Sequence, residues 1–325
     1  MKKEYGGVMM EPGVRKIEQV IKEVKKVIVG KDESIHKVMM AVLAGGHVLL
    51  EDVPGVGKTR MALSFSKAMM LQANRIQFTP DVLPADITGF SMYQKHTGEF
   101  VYQPGAAMCN LLLADEINRT SPKTQSALLE VMEEGHVTVD GVTRYVPQPF
   151  IVLATQNPVG FSGTQQLPES QVDRFMISLS IGYPKPEDEL RLMKDRHAQD
   201  PLDLVEPVMS QEELICLRKQ VENVFIHDVV YEYIIRLANA TRNHPMLELG
   251  VSPRGALDLT RLVKAAAFMQ GRNFVLPQDV ADVAAHVMTH RLRLNTRARI
   301  GHHTAEEVMR LILEQTKMPQ PESVQ

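Results

Sequence analysis

A short glycine-rich turn carries the strongest chemical signal in this sequence. The apolar run of residues 47–50 leads into the turn, which ends in Gly57, Lys58 and Thr59. Glycines allow backbone N–H groups to close around phosphate oxygens, a lysine can reach the terminal phosphates of a nucleotide, and a threonine hydroxyl can hold Mg²⁺. A helix that begins near Lys58 would also point the positive end of its dipole at the phosphates. This turn is therefore predicted to bind the phosphates of a nucleotide.

One position departs from the strict phosphate-loop pattern. That pattern, G-x-x-x-x-G-K-[ST], requires glycine at position 52, where this chain has Asp52. Taken alone, the turn leaves a coincidental helix start as an open alternative, so the surrounding elements must decide. The predicted nucleotide-binding positions in and beside the turn are Pro54, Gly55, Val56, Gly57, Lys58, Thr59 and Arg60.

A second apolar run, residues 111–114, ends in Asp115 and Glu116. The run is typical of a buried parallel strand, and ligands bind beyond the carboxyl ends of such strands, so both acids should open onto the same crevice as the turn. We assign Asp115 to Mg²⁺, through water, and Glu116 to the attacking water. For this motif alone, the solvated start of a loop is the alternative.

A third apolar run, residues 150–154, is followed by Thr155, Gln156 and Asn157. A polar amide at the end of this strand could sense the terminal phosphate or hold the attacking water. Three apolar strands that each end in chemically suitable polar groups argue against coincidence. The sequence therefore predicts a nucleotide site shared by three strand ends.

The elements that must position these groups are predicted to form an α/β core. Two hairpins interrupt the core, at residues 91–102 and 136–146, and the second turns at Asp140-Gly141, a strong hairpin signal. The strands of a predicted parallel five-stranded sheet, with helices between them, are residues 47–50, 75–78, 110–114, 150–154 and 176–181.

The chain is too long for one ordinary core, so two domains are expected. An amphipathic helix is predicted for residues 14–29, and from Pro186 onward the apolar residues follow a helical period. The predicted divisions are a flexible tail at 1–13, the nucleotide-binding core at 14–185, a helical domain at 186–318 and a C-terminal tail at 319–325.

Composition narrows the function classes. The chain has 325 residues, a net charge of −3 at pH 7 and 23% charged residues, so it lacks the basic surplus of proteins that bind nucleic acid or anionic membranes. Its two cysteines, Cys109 and Cys216, are far apart and indicate neither a metal site nor a disulfide framework. The N-terminal residues lack the apolar core of a signal peptide, and no run approaches about eighteen apolar residues, so we expect a cytoplasmic protein with no transmembrane segment.

Six motifs follow one another along nearly the whole chain: LEDVPGVGKT (50–59), TPDVLPADITG (79–89), LADEINR (113–119), ATQNP (154–158), LPESQVDRF (167–175) and GVSPRG (250–255). Together they resemble the MoxR family of AAA+ ATPases. An acidic residue at position 52 is common in that family. The resemblance implies an AAA+ αβα nucleotide-binding core with inserted β-hairpins, followed by a small all-helical lid domain, with ATP and Mg²⁺ as cofactors.

The resemblance also assigns further site residues. Arg174 matches the arginine finger, which would reach the γ-phosphate of ATP on the adjacent subunit, where such a cation contributes about 10³ to 10⁵ in rate. Arg254 matches the lid's sensor arginine, whose contact with the γ-phosphate would couple hydrolysis to lid movement, and Asn157 matches the first sensor. Gly30 and Lys31 lie in the segment that borders adenine. For each arginine, a surface salt bridge is the alternative that the residues alone leave open.

The function implied by the resemblance is ATP hydrolysis by a homo-oligomeric ring, a hexamer, that remodels or activates a protein client in a chaperone-like way. Family resemblance alone suggests a partner with a von Willebrand factor A domain. A nucleotide-switched scaffold with little turnover stays open as an alternative, because it would use the same phosphate-binding residues.

A nucleic-acid-stimulated motor is the other open alternative. The hairpins resemble insertions that place MoxR proteins near the magnesium chelatase and replicative helicase branches of AAA+ ATPases. A helicase lines its pore with basic hairpins, since phosphate contacts supply most of the affinity for nucleic acid. We expect no nucleic acid here, because a basic residue is balanced by an acidic one in each hairpin. Tyr93, Phe100 and Tyr102 could grip a polypeptide, but self-stabilisation of a small hairpin is the favoured interpretation. The balanced pairs are Lys95 with Glu99 and Arg144 with Asp140.

Overall fold

The centre of the fold is a parallel sheet of short apolar strands. The computed structural model describes residues 12–52, 55–157, 167–195 and 200–320. The five-stranded sheet contains, in spatial order, β2 (Ala73–Gln77), β5 (Leu111–Asp115), β8 (Ile151–Gln156), β1 (Val48–Glu51) and β9 (Ile177–Leu179), and all its pairs are parallel. The predicted strands are confirmed, with ends that differ by one or two residues. The strands are β1 (Val48–Glu51), β2 (Ala73–Gln77), β3 (Phe90–Gln94), β4 (Glu99–Gln103), β5 (Leu111–Asp115), β6 (His136–Val139), β7 (Val142–Tyr145), β8 (Ile151–Gln156), β9 (Ile177–Leu179), β10 (Leu247–Leu249) and β11 (Arg293–Leu294).

Helices cover both faces of this sheet and continue beyond it. Short 3-10 turns lie at Ile117–Arg119, Pro201–Leu204 and Thr289–Arg291. The helices are α1 (Pro12–Lys25), α2 (Asp32–Leu43), α3 (Lys58–Ala68), α4 (Pro84–Thr88), α5 (Pro122–Glu134), α6 (Glu169–Val172), α7 (Pro186–Asp195), α8 (Gln211–Glu222), α9 (Asp228–Arg242), α10 (Pro253–Met269), α11 (Pro277–Met288), α12 (Thr296–Ile300) and α13 (Ala305–Gln315).

Strand β5 shows why the sheet is so apolar. All five of its residues are buried. Leu111 and Leu113 belong to the apolar cluster that includes α1, α2 and α3, whereas Leu112 and Ala114 belong to the cluster that includes α5. Because successive side chains of a strand point to opposite faces, β5 contributes to two cores and needs apolar residues at its first four positions.

The first helix differs from its predicted bounds. α1 runs from Pro12 to Lys25, whereas residues 14–29 were predicted. Pro12 and Gly13 therefore belong to this helix and not to the predicted tail, and the rest of that tail lies outside the described residues. Proline suits the first turn of a helix, because the N–H group that it lacks has no partner there. The helix ends early because a hydrogen-bonded turn follows Lys25 directly.

Both predicted hairpins are present. β3 pairs antiparallel with β4, and Tyr93 lies opposite Phe100. β6 pairs antiparallel with β7 across Asp140 and Gly141, whose φ values are 53° and 74°. A two-residue turn with positive φ at both positions matches the twist of the strands that it joins, which is why the Asp-Gly pair predicted it correctly.

The second half of the chain is helical, as predicted, with one addition. β10 and β11 pair antiparallel, so the expectation of an all-helical lid was wrong in this detail. These strands have three and two residues, too few to show an alternating pattern in the sequence. The lid helix α10 packs against α1 and α2, so lid and core share one apolar cluster.

The predicted domain boundary at 185/186 falls between β9 and α7 and stays a prediction, as does the tail at 319–325, of which residues 321–325 lie outside the described part of the chain. Among the described helices, none is long and apolar enough to cross a membrane.

Candidate functional site

The glycine-rich turn leads directly into α3. Gly57 precedes the helix with a left-handed φ of 98°, and Gly55 has a φ of 89°. A side chain would be strained in this conformation, so the backbone geometry itself favours glycine at both positions. Because α3 begins at Lys58, its free N–H groups and positive dipole end face the turn. Pro54, also predicted for this site, lies outside the described residues.

Lys58 is buried behind the turn. Its Nζ donates a hydrogen bond of 2.7 Å to the backbone oxygen of Asp52. Burial lowers the pKa of Lys58, while the carboxylates of Asp52, Asp115 and Glu116 act in the opposite direction. The ends of β1 and β5 are thus brought together around one cation, as the strand pattern predicted.

Asp52, the departure from the strict pattern, has a structural role. Its buried carboxylate accepts hydrogen bonds from the backbone N–H of Ile181, from that of Gly182 at 3.1 Å and from the Ser180 hydroxyl at 3.1 Å. These donors follow β9, which pairs with β1. A glycine could not satisfy them, so the acid joins the start of the glycine-rich turn to the neighbouring strand end.

The carboxylate of Asp115 lies at the centre of a polar network. Its Oδ2 lies 3.4 Å from the Thr59 hydroxyl and accepts a hydrogen bond of 2.8 Å from Nε of Arg75. Its Oδ1 accepts a hydrogen bond of 3.3 Å from the Thr155 hydroxyl. A carboxylate beside a hydroxyl is an oxygen donor set that suits Mg²⁺. The two predicted metal ligands, Thr59 and Asp115, therefore fit a magnesium ion.

Glu116 lies just beyond β5 with a left-handed φ of 57°, and its N–H donates to the Thr155 hydroxyl at 2.9 Å. Arg119 Nη1 lies 2.7 Å from Glu116 Oε2. Burial alone would raise the pKa of Glu116, but hydrogen bonds from Arg119 and Asn157 and the charge of Lys58 outweigh it and lower this pKa. An ionised carboxylate in this place can accept a proton from water.

Asn157 joins the same group of residues. Its side chain hydrogen-bonds Glu116, and its backbone oxygen accepts a 3.0 Å hydrogen bond from Asn118 Nδ2. The Oδ1 atom of Asn157 is buried and lacks a hydrogen-bond partner among the described residues. A buried acceptor of this kind is normally satisfied by a protein group or a water molecule, so the residue is suited to hold water beside Glu116.

A cleft of about 390 Å³ opens beside the turn and is lined in part by Lys31, Val56, Arg60 and Tyr183. Its volume is in the range of small-molecule sites. Lys31 Nζ donates 2.7 Å to the backbone oxygen of Tyr183, and Arg60 forms an ion pair with Asp200. Lys31 thus lines a cleft beside the glycine-rich turn, and the assignment of Gly30 and Lys31 to adenine stays a prediction.

Arg174 and Arg254 lie together, but away from this turn. Both pair with the carboxylate of Glu133, Arg174 at 2.6 Å. These residues line a second cleft, of about 370 Å³, together with residues 45–47. Residues 45–47 precede β1, whereas the turn follows it, and five steps along an extended strand, from 47 to 52, span roughly 16 Å. The two arginines thus lie at the edge of the sheet formed by the N-terminal ends of the strands, the amino edge. Within one chain, they form a surface salt bridge with Glu133.

Two family models match separate parts of the chain. The model of the ATPase family associated with various cellular activities (AAA) matches residues 47–177, and that of the AAA lid domain matches residues 239–312. Protein YeaC of Bacillus subtilis (strain 168) is 46% identical over 93% of this chain and 94% of its own length. Chaperone MoxR1 of Mycobacterium tuberculosis is 39% identical over 96% of this chain and 84% of its own length. This chain belongs to the MoxR family of AAA+ ATPases.

A solved structure supports the same assignment for the fold. A protein from Cytophaga hutchinsonii, provisionally assigned as an ATPase, shares 38% identity with this MoxR-family chain and superimposes with a TM-score of 0.88 over 95% of this chain and 96% of its own. The predictions of the family and of an AAA+ core followed by a helical lid are confirmed. Family membership implies a nucleotide-binding protein.

Sequence reasoning missed several residues of the candidate site. Thr155 contacts both Asp115 and the Glu116 backbone, and it could have been found as the first polar residue after the third strand. Arg119 lies three residues after Glu116, a spacing that allows a contact in a helical turn. No local signal in the sequence relates Arg75 to Asp115, or Glu133 to the two arginines.

Proposed function

We propose that this MoxR-family chain hydrolyses ATP at sites completed by two neighbouring subunits of a homo-hexameric ring. The observation that carries the proposal is the separation of the phosphate-binding turn from Arg174 and Arg254, at opposite edges of one sheet. Neither arginine reaches the turn of its own chain across roughly 16 Å of strand. In a ring with head-to-tail contacts, the arginine edge of one subunit would face the turn of the next.

Within this proposal, the backbone N–H groups of residues 55–57 and the ammonium group of Lys58 bind the phosphates. Thr59 and Asp115 would hold Mg²⁺, which supplies positive charge to the phosphates when it is bound. Gly30, Lys31, Val56 and Arg60 border the nucleoside.

The proposed hydrolysis then depends on groups already close together. Glu116 is ionised, so it can accept the proton of the attacking water, and Asn157 aligns that water through its Oδ1, which has no hydrogen-bond partner within the described part of the chain. Arg174 and Arg254 of the next subunit would stabilise the charge on the transferred phosphoryl group. Because Arg254 lies in the lid and Arg174 in the core, loss of the γ-phosphate would release both and move the lid.

The proposed client is a protein, remodelled or activated in a chaperone-like way with a partner that carries a von Willebrand factor A domain. MoxR1 of Mycobacterium tuberculosis is named a chaperone. The hairpins support a protein client over nucleic acid, because the guanidinium of Arg144 lies 4.0 Å from the centre of the Tyr102 ring and is thus engaged by an aromatic face. The rings of Tyr93 and Phe100 lie 5.3 Å apart, which supports a hairpin that stabilises itself.

The experiment for this proposal is the ATPase rate at increasing protein concentration, with light-scattering mass measured in parallel, for the wild type and Arg174→Ala. Specific activity should rise as the ring assembles and collapse in the variant. A rate that is flat with concentration and unchanged in Arg174→Ala would contradict a site shared between subunits. In mixtures, Arg174→Ala and Lys58→Ala subunits should restore part of the activity, because one composite site then contains both an intact turn and an intact arginine.

A further inference from the structure

The carboxylate of Glu133, near the end of α5, joins two arginines from different parts of the fold. Its Oε2 lies 2.6 Å from Nη1 of Arg174 in the core, and its Oε1 pairs with Nη2 of Arg254 in the lid. Arg174 Nη1 also donates 2.8 Å to the backbone oxygen of Leu129, one turn earlier in α5. Since each carboxylate oxygen takes one guanidinium group, the direction of both groups depends on one residue.

The backbone around the two arginines is fixed by other contacts. Asp173 accepts hydrogen bonds from the Ser252 hydroxyl at 2.8 and 2.9 Å and from Nε of Arg291 at 2.7 Å. Arg291 is buried and also donates to the backbone oxygen of Phe175 at 2.9 Å. These contacts join the segment beside Arg174 to the start of α10 without any contribution from Glu133. Lid and core are thus also joined beside Arg174 by contacts that do not involve Glu133.

The charges in this cleft require an acid at position 133. Arg174, Arg254 and Arg261 all line the cleft. The acidic residues that line it are Glu133 and Asp258, and the carboxylate of Asp258 is 2.6 Å from a buried arginine of the lid. Guanidinium groups that are brought side by side repel one another unless a negative charge lies between them. Glu133 supplies that charge to Arg174 and Arg254.

We propose that Glu133 is a positioning residue for the intersubunit ATP site, where it holds Arg174 and Arg254 as a pair directed at the phosphates of the adjacent subunit. This inference rests on the proposed function, in which both arginines act on the neighbour's ATP. The contacts among the described residues use Nη1 of Arg174 and Nη2 of Arg254, and these side chains are 31% and 37% exposed. Their other N–H groups can donate to phosphate oxygens while the pairing with Glu133 persists.

The first experiment compares Glu133→Gln with wild type in steady-state ATPase assays and in titrations with a fluorescent ATP analogue. Glutamine keeps the size of the side chain and removes its charge. We expect kcat to fall at least about tenfold, which is less than the effect of losing a phosphate-directed arginine altogether. The Kd of the analogue should stay within about twofold, because the variant's own turn is untouched. Glu134→Gln, which removes the adjacent exposed acid, is the matched control and should keep wild-type kcat. Glu133→Asp keeps the charge and should recover part of the activity.

The decisive readout is complementation in mixed rings. Glu133→Gln subunits have an intact turn, and Lys58→Ala subunits have an intact arginine pair, so mixing them should restore activity as in mixtures of Arg174→Ala with Lys58→Ala. A residue with a merely structural role in its own subunit would not behave in this way. Recovery with Arg174→Ala but none with Glu133→Gln would overturn the inference.

Two further outcomes separate this inference from the function on which it rests. Wild-type kcat in Glu133→Gln, together with an inactive Arg174→Ala, would overturn the positioning role and leave the intersubunit site intact. Full activity in Arg174→Ala would instead overturn the intersubunit site itself. Light-scattering mass for each variant shows that the compared samples have assembled to the same size.

Discussion

Replacing Asp52 with glycine would restore the strict phosphate-loop pattern, yet we expect it to destabilise the protein. The Asp52 carboxylate accepts hydrogen bonds from the N–H groups of Ile181 and Gly182 and from the Ser180 hydroxyl. In Asp52→Gly these donors lose their acceptor at a place where Ile181 is buried. The variant therefore agrees with the motif but leaves buried hydrogen-bond donors without an acceptor.

The magnitude follows from counting those donors. A buried donor left without a partner costs about 1–3 kcal/mol, and the N–H of Ile181 should bear this fully. Gly182 is only partly buried and Ser180 is exposed, so water can replace most of their lost hydrogen bonds. The added freedom of glycine costs roughly 0.5–1 kcal/mol more. The expected loss is about 2–4 kcal/mol, or a fall in Tm of about 4–8 °C at roughly 2 °C per kcal/mol for a long chain.

Differential scanning calorimetry and urea unfolding of Asp52→Gly, Asp52→Asn and wild type measure this loss. Asparagine keeps one acceptor oxygen, so its loss should be about half as large. The backbone oxygen at position 52, which binds Lys58, is retained in all three proteins, so nucleotide affinity well below the melting temperature should change far less than in Lys58→Ala. A glycine variant that melts within about 1 °C of wild type would refute the argument that buried donors require this acid.

Other residues of the site give sharp expectations. Lys58→Ala should abolish tight binding of a fluorescent ATP analogue, because the phosphates lose their cation. Glu116→Gln should keep this binding but no longer release phosphate from ATP. Equal behaviour of the two variants would contradict their separate roles, and intact function in Glu116→Gln would favour a nucleotide-switched scaffold. In Arg75→Gln, Asp115 loses a competing cation at 2.8 Å. The Mg²⁺ concentration that gives half-maximal ATPase activity should therefore fall severalfold. An unchanged Mg²⁺ titration would count against this. Burial lowers the pKa of His47 to about 4. Between pH 6.5 and 4 the unfolded chain therefore binds a proton that the folded chain does not. The free energy of unfolding should decrease on acidification, by about 2 kcal/mol from this residue at pH 5. Urea midpoints at pH 7 and pH 5 measure this, and His47→Gln should show a smaller decrease.

The sheet and its nucleotide edge were predictable because their signals are local. Strands β1, β5 and β8 are apolar up to their last one or two residues, as burial on both faces requires, and each of the three ends in polar groups. Parallel pairing then forces those ends to one edge, so Lys58, Asp115 and Asn157 could be placed together before any contact was known. The Asp140-Gly141 turn was equally local, since two residues define it. Strand and helix ends were less certain because capping and turn hydrogen bonds extend or shorten them by a residue or two.

The two arginines show why the second part of the proposed site could not be located in this way. Their residue types follow from motifs, but the edge on which they lie is set by contacts between distant segments, such as Asp173 with Ser252 and Arg291. No periodicity of α10 encodes those partners, and Glu133, which joins the arginines, is an ordinary exposed acid in the pattern of α5. Sequence alone therefore left each arginine as either a phosphate ligand or a surface ion pair. The two alternatives are compatible in this fold, because an ion pair at the amino edge keeps both guanidinium groups directed outward, where under the proposed function the phosphates of another subunit would meet them.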